Sequence, residues 1–289
     1  MILLYDYYQN IIINEPVCLV FGNFDGVHVG HNKLIQTMKS NKEYKTCIMT
    51  FSSKVVSDET IISTEEKIQK LSTYSPDYLV VIKTNPSFYN LSAHDFIDFL
   101  ASIKVKMIVC GSDASFGAGK SGDVELLKKH FKVEVVDFAR VFDSKISSSL
   151  IKSYGQDDPN TNYLLGNKTL IEGVVVHGNG LGDKLGFRTC NIETKTMDMK
   201  TGVYGCRVVI KNTSYLGIIN IGINPTISKN KKLKYEVHIL DFDEIVYGEY
   251  IVVELLLYLR DEQKFSSIDE LKLQIKNDKD SFIKYIQSI

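Results

Sequence analysis

With only five prolines in 289 residues and no serine- or glycine-rich tract, the sequence has little that would favour long disorder. It also lacks a charge surplus: 34 Lys and Arg stand against 35 Asp and Glu, a net charge of −1. A balanced surface supplies no field to draw in nucleic acid or an anionic membrane, so neither is expected as a partner. Anionic small molecules need only a local positive site and are not excluded. No uninterrupted apolar run is long enough to span a bilayer. The opening MILLYDYYQN has no basic stretch ahead of a long apolar one and does not read as a secretory signal. The five cysteines (Cys18, Cys47, Cys110, Cys190, Cys206) are odd in number, widely spaced and free of any C-x-x-C pair. They read as reduced core thiols, and the expected location is the cytoplasm.

What is present is a soluble globular balance, 44% apolar and 24% charged, over a length comfortable for two domains. Up to about residue 150, near-continuous apolar runs alternate with amphipathic ones. Strands are expected at residues 17–21, 46–51, 78–82, 107–110 and 133–136, with helices between them. Ser92 and Asp95 stand three apart where a helix should start. Such alternation predicts a doubly wound parallel sheet, whose ligands lie beyond the carboxyl ends of its strands. After about residue 165 the period shortens. Runs at 171–176, 204–210, 215–221, 233–240 and 251–257, punctuated by Gly and Asn, predict a small antiparallel β-barrel. A terminal helix should follow from about Ile268, with Ser267 and Glu270 as its capping box. The polar stretch 154–160 marks the expected boundary, giving domains 1–153 and 154–289.

The run Gly22-Asn-Phe-Asp-Gly-Val-His-Val-Gly-His31 leaves an apolar strand and opens a helix. Small residues and a helix N-terminus suit a phosphate, and two imidazoles three apart can hydrogen-bond its oxygens. A surface turn with incidental histidines is the plainer alternative. Zinc is weaker still, because no third or fourth ligand lies at ligand spacing. This run resembles the signature of the adenylyltransferase module in prokaryotic bifunctional riboflavin kinase/FMN adenylyltransferases, members of the H-x-G-H nucleotidyltransferases. Gly111-Ser-Asp-Ala-Ser-Phe-Gly117 and Ile146-Ser-Ser-Ser-Leu-Ile-Lys152 are similar to that family's flavin- and ATP-contacting segments.

The resemblance implies that His28 and His31 stabilise the transferring phosphoryl group. Gly22, Asn23, Phe24, Asp25, Gly26 and Gly30 would shape the nucleotide site, with Ser147, Ser148, Ser149 and Lys152 on the ATP phosphates. Asp113, Phe116 and Gly117 would face the flavin. The chain departs from the family's pattern at residues 52–54, at Ala114 and at Lys152, which replaces an arginine fork.

A second glycine-dense loop, residues 177–186, precedes Phe187-Arg-Thr-Cys-Asn-Ile192. A phosphate cradle and a plain barrel corner both explain such a loop. The following run resembles the G-F-P-T-A-N motif of riboflavin kinases, and further matches continue in family order at 202–204, 220–226, 235–240, 247–248 and 260–265. By resemblance, Gly178, Gly182, Gly186, Thr189 and Asn191 hold ATP, and Thr189 and Asn191 ligate Mg²⁺. Glu236 takes the riboflavin hydroxyl proton, and Asn224 and Arg260 contact the flavin. Arg188 stands in place of the family's proline and Asp183 where arginine is common, so the kinase half is expected to be the weaker one. The implied substrates and products are ATP, riboflavin, FMN and FAD. A monofunctional FMN adenylyltransferase and a non-catalytic flavin-binding regulator are the competing readings. The sequence says nothing of self-association.

Overall fold

The computed structural model describes residues 1–52, 60–177, 189–195, 199–223 and 233–289. The chain forms two compact units, residues 1–152 with 288–289, and residues 153–287.

The first unit contains β1 (Ile2–Asp6), β2 (Val17–Phe21), α1 (Val29–Ser40), β3 (Lys45–Phe51), α2 (Thr64–Ser72), β4 (Tyr78–Ile82) and α3 (Pro86–Tyr89). It continues with α4 (Ala93–Ser102), β5 (Val105–Gly111), α5 (Val124–Lys128), β6 (Lys132–Val136) and the short pair β7 (Arg140–Val141) and β8 (Ser144–Lys145). Helix α6 (Ser148–Tyr154) follows. Six strands pair in parallel in the order β1-β4-β3-β2-β5-β6.

Period-2 alternation explains the near-continuous apolar strands. Val17, Leu19, Met49, Val80 and Ile108 face one core with Phe96 and Leu100 of α4. Cys18, Val20, Ile48, Leu79 and Val109 face the other, with Ile35 and Met38 of α1. Serine caps start α2 and α4. Ser63 and Glu66 form a reciprocal box at α2, and Ser92 Oγ accepts the Asp95 N–H at 3.1 Å.

The sheet has one strand more than the sequence pattern predicts. Among the described residues edge strand β1 pairs only with β4, and its Ile2, Leu3 and Tyr5 are exposed, so it carries no buried run to read. From β2 the chain winds through β3 to β4 on one side and passes to β5 and β6 on the other. That reversal opens a crevice beyond the carboxyl ends of β2 and β5.

The second unit begins with the rest of α6 and α7 (Pro159–Leu164). Strands β9 (Thr169–Val176), β10 (Cys190–Glu193), β11 (Gly202–Ile210), β12 (Thr213–Ile223), β13 (Leu233–Ile239) and β14 (Tyr250–Arg260) follow, then α8 (Ile268–Ser288). All six strands pair antiparallel in a closed barrel, order β10-β13-β12-β11-β14-β9. Its interior holds Ile171, Val175, Ile192, Tyr204, Cys206, Ile219, Tyr235, Val237 and Val253. Short β10 escapes the sequence reading because its four residues fall inside a motif read for chemistry.

The polar stretch at 154–160 is more than a connection. Asp158 caps α7, Pro159 occupies its first turn, and buried Asn160 pairs with the backbone of Tyr258 at 2.9 and 3.1 Å. It satisfies β14 near its register shifts against β11. On α8, Ser267 Oγ accepts the Glu270 N–H, while the Glu270 carboxylate returns to Ser266 rather than Ser267. The fully buried Phe282 ring of α8 packs over Gly205, where any Cβ would collide with it.

Candidate active sites

The first site is built by the chain leaving β2. Phe24 (φ 50°), Gly26 (φ 83°) and Val27 (φ 49°) all take left-handed backbone, which curls the loop tightly over the sheet edge. Thr50 Oγ1 pins it through the Asn23 carbonyl at 3.0 Å, and Ser148 Oγ through the Asp25 carbonyl at 2.9 Å. Asp25 is buried. Its carboxylate accepts the Ile61 N–H at 2.8 Å and meets Lys152 Nζ at 3.2 Å. This carboxylate therefore braces the loop and holds a cation at the cleft wall. Phe24 is likewise buried and packs on His31, with ring centroids 4.9 Å apart.

His28 is the N-cap of α1. The two histidines cap each other: His31 N–H donates to His28 Nδ1 at 3.3 Å, and His28 N–H to His31 Nδ1 at 3.2 Å. Their rings stack at 3.6 Å. Each Nδ1 is thus an acceptor, which leaves Nε2–H as the only donor of each neutral ring. Burial, helped by Lys145, pulls the His28 pKa down to about 4. Burial and the neighbouring His28 hold His31 well below its usual value. At Gly30 a Cβ would lie 3.1 Å from His28 Nδ1 and crowd the stack.

Two chambers meet at this loop and share Phe21, Gly22 and Ala114. One, of about 350 Å³, is lined by His28, His31, Lys145, Phe138 and the 147–149 serines. Ser147 also caps α6 through the Leu150 N–H at 3.2 Å. The larger, of about 600 Å³, is walled by Phe51, Phe88, Phe96 and Phe116, with Asn23, Asp25 and Lys152 at its polar side. Gly117 (φ 74°) lets the 111–117 loop pass α4, where a Cβ would sit 2.7 Å from Ala93 N. Asp113 lies on the smaller chamber and is paired with Lys145. Phe116 and Gly117 line the larger chamber, and Ala114 between them and Asp113 borders both chambers. A planar aromatic ring suits the larger chamber, and an anionic nucleotide suits the smaller.

The second site lies on the outer face of the barrel. Register places Asn191 opposite Glu236 and Glu236 opposite Asn220, a row across β10, β13 and β12. Glu236 Oε1 accepts the Thr189 hydroxyl at 2.9 Å, and Oε2 meets Lys234 Nζ at 3.1 Å. The side-chain oxygens of Asn191 and Asn220 are buried without a hydrogen-bond partner among the described residues. An orphaned carbonyl oxygen beside a hydroxyl and a carboxylate is a hard donor set suited to a divalent cation. The Arg260 fork grips buried Asp278 of α8 at 2.9–3.0 Å, a clamp between barrel strand and helix. Gly178, Gly182, Gly186, Asn224, Asp183, Arg188 and residues 53–54 lie outside the described residues.

Sequence reasoning missed Lys67 and Lys145, and took Asn220 only as the start of a family match without a role. Lys67 carries a legible signal, a lysine within the buried stripe Thr64, Lys67 and Leu71 of α2. Asn220 interrupts an apolar strand between Ile219 and Ile221. Lys145 sits in a two-residue strand that no pattern announces.

A helix N-terminus bearing two neutral imidazoles at a sheet switch point is an arrangement suited to the phosphates of a nucleotide. The chain carries with it a second, barrel-borne site of Thr, Asn and Glu. Comparison with known proteins carries this further. Residues 11–150 match the FAD synthetase family profile and residues 165–286 the riboflavin kinase profile. A bifunctional riboflavin kinase/FMN adenylyltransferase of Buchnera aphidicola (strain Sg) is 34% identical, over 96% of each chain. That of Bacillus subtilis is 33% identical over 94% of this chain and 93% of its own. A solved structure described as a macrolide-efflux protein from Streptococcus pneumoniae aligns with TM-score 0.53 and 28% identity, over 98% of this chain and 99% of that one. The chain belongs to the bifunctional riboflavin kinase/FMN adenylyltransferase family. Among the described residues no helix is long and apolar enough to cross a membrane.

Proposed function

We propose that this chain is a transferase that makes both flavin cofactors, phosphorylating riboflavin to FMN and adenylylating FMN to FAD, each with ATP. The observation that carries this is the presence of two clusters of chemistry-bearing side chains, one in each unit of the polypeptide. One is the His28–His31 cap and the other the Thr189–Asn191–Glu236 row.

In the first unit an FMN phosphate oxygen attacks the ATP α-phosphorus, and pyrophosphate leaves. FMN is already ionised near neutral pH, so the site needs positioning and charge stabilisation rather than a general base. The two Nε2–H groups, the α1 and α6 N-termini and the 147–149 serines donate to oxygens on which charge develops. The aromatic walls of the larger chamber hold the flavin ring system, with Phe116 and Gly117 shaping its floor.

In the second unit Glu236 accepts the riboflavin 5′-hydroxyl proton as that oxygen attacks the ATP γ-phosphorus and ADP leaves. Thr189 and Asn191 fit Mg²⁺, which when bound neutralises the phosphate charge. Lys234 keeps a positive charge at the same carboxylate. The cytoplasm, where ATP is abundant, is the proposed location.

Incubation of pure protein with ATP and Mg²⁺, first with riboflavin and then with FMN, tests this by chromatography of the products. FMN and FAD from riboflavin are expected. FAD from FMN alone would establish the monofunctional reading, and binding without turnover the regulator.

A further inference from the structure

Lys67 is a buried charge that neither site so far employs. It lies on α2 with 2% of its surface exposed. Burial pushes its ammonium pKa down, and nearby Asp25 opposes that shift. Its Nζ donates to Asn23 Oδ1 at 3.2 Å and to the Phe51 carbonyl at 3.1 Å. An ammonium has donors only, so the atom of Asn23 that faces it must be the carbonyl oxygen. The Asn23 carboxamide is therefore held with its NH₂ turned away from Lys67. Its backbone is held as well, through Thr50 Oγ1. Asn23 is itself exposed and lines the larger chamber. A lysine buried behind an exposed amide fixes which end of that amide meets a ligand.

We propose that Lys67 is a positioning residue for adenylyl transfer: it orients Asn23 so that the amide N–H groups donate to the phosphate of FMN. This rests on the adenylyl-transfer reading of the site. A merely structural Lys67 makes a different demand. If Lys67 only needs a partner, Asp at position 23 serves as well as Asn, because it adds an ion pair. If the amide is aimed at phosphate, Asp keeps the clamp yet turns an acceptor and a negative charge toward a near-dianionic ligand.

Asn23→Asp separates the two. The proposal expects KM for FMN to rise about tenfold or more. The melting temperature should be unchanged or higher, and riboflavin phosphorylation by the same polypeptide should be retained. KM for FMN within twofold of wild type overturns the proposal. If Asn23→Asp does not fold, Asn23→Ala and Lys67→Met carry the test. Each should raise KM for FMN, and the double variant should be no worse than Asn23→Ala alone; additive losses overturn the proposal. A wild-type chain that makes no FAD from FMN removes the site reading and this proposal with it. FAD from wild type beside an indifferent Asn23→Asp removes this proposal alone.

Discussion

On the function proposed above, the two units solve the same problem, gripping a nucleotide beside a flavin, by opposite means. In the first, the chemistry sits on the edge of a parallel sheet, where loops end and helices begin, and backbone geometry does much of the aiming. Three left-handed residues and a reciprocal histidine cap put two neutral donors at the head of α1. In the second, the chemistry stands on regular strands, and cross-strand register does the aiming. Asn191, Glu236 and Asn220 become neighbours because β10, β13 and β12 are. A loop-borne site is sensitive to a Cβ added where the turn takes left-handed backbone, as at Gly26, whereas a strand-borne site is sensitive to barrel integrity.

The sharpest way to break this comparison is to delete one site's central group and read both activities. Glu236→Gln should lower riboflavin phosphorylation by about 10²–10⁴ in kcat while leaving adenylylation of FMN intact. His28→Gln should lower adenylylation by about 10²–10³ and spare the kinase. Loss of both activities in either variant would merge the two sites into one.

Next comes integrity. Phe282→Ala empties the pocket over Gly205 and should destabilise the barrel by about 3–5 kcal/mol, measured by denaturant unfolding. Hydrogen exchange should then rise across β11 and β14 and not across β2–β5. Acid should act on the other unit. The native pKa of His28 lies below that of the unfolded chain, so the unfolded state takes up protons first as pH falls. The stability this group contributes is full above about pH 6.5 and is lost as pH drops toward about 4. His28→Gln should flatten that limb. The smallest effect sharpens the comparison: Arg188→Pro restores a fixed φ before Thr189 and should raise riboflavin phosphorylation about two- to fivefold. No change, or a loss, would remove the idea that this arginine weakens the kinase half.

Much of this was legible in the sequence because it is local. Buried strands read as apolar runs, Ser92 announces α4, and the Gly22–His31 run names a helix N-terminus. What escaped is what depends on a distant partner. Strand β1 is recognised only by its pairing with β4. The pairing of Arg260 with Asp278 of α8 is likewise invisible to local spacing. Asp25 lines the larger chamber, and the ties of its carboxylate to Ile61 and Lys152 join residues far apart in the chain. Lys67 meets Asn23 across 44 residues of chain. In each case residue type and local spacing were visible, while the deciding ion pair or ladder formed only on folding.

The most direct test of the central claim is one chromatogram per variant after feeding riboflavin, ATP and Mg²⁺. His28→Gln should stop at FMN and accumulate it. Glu236→Gln should leave riboflavin untouched yet convert added FMN to FAD. If His28→Gln also fails to make FMN, or Glu236→Gln also fails to turn FMN into FAD, two separate sites on one chain is the wrong description.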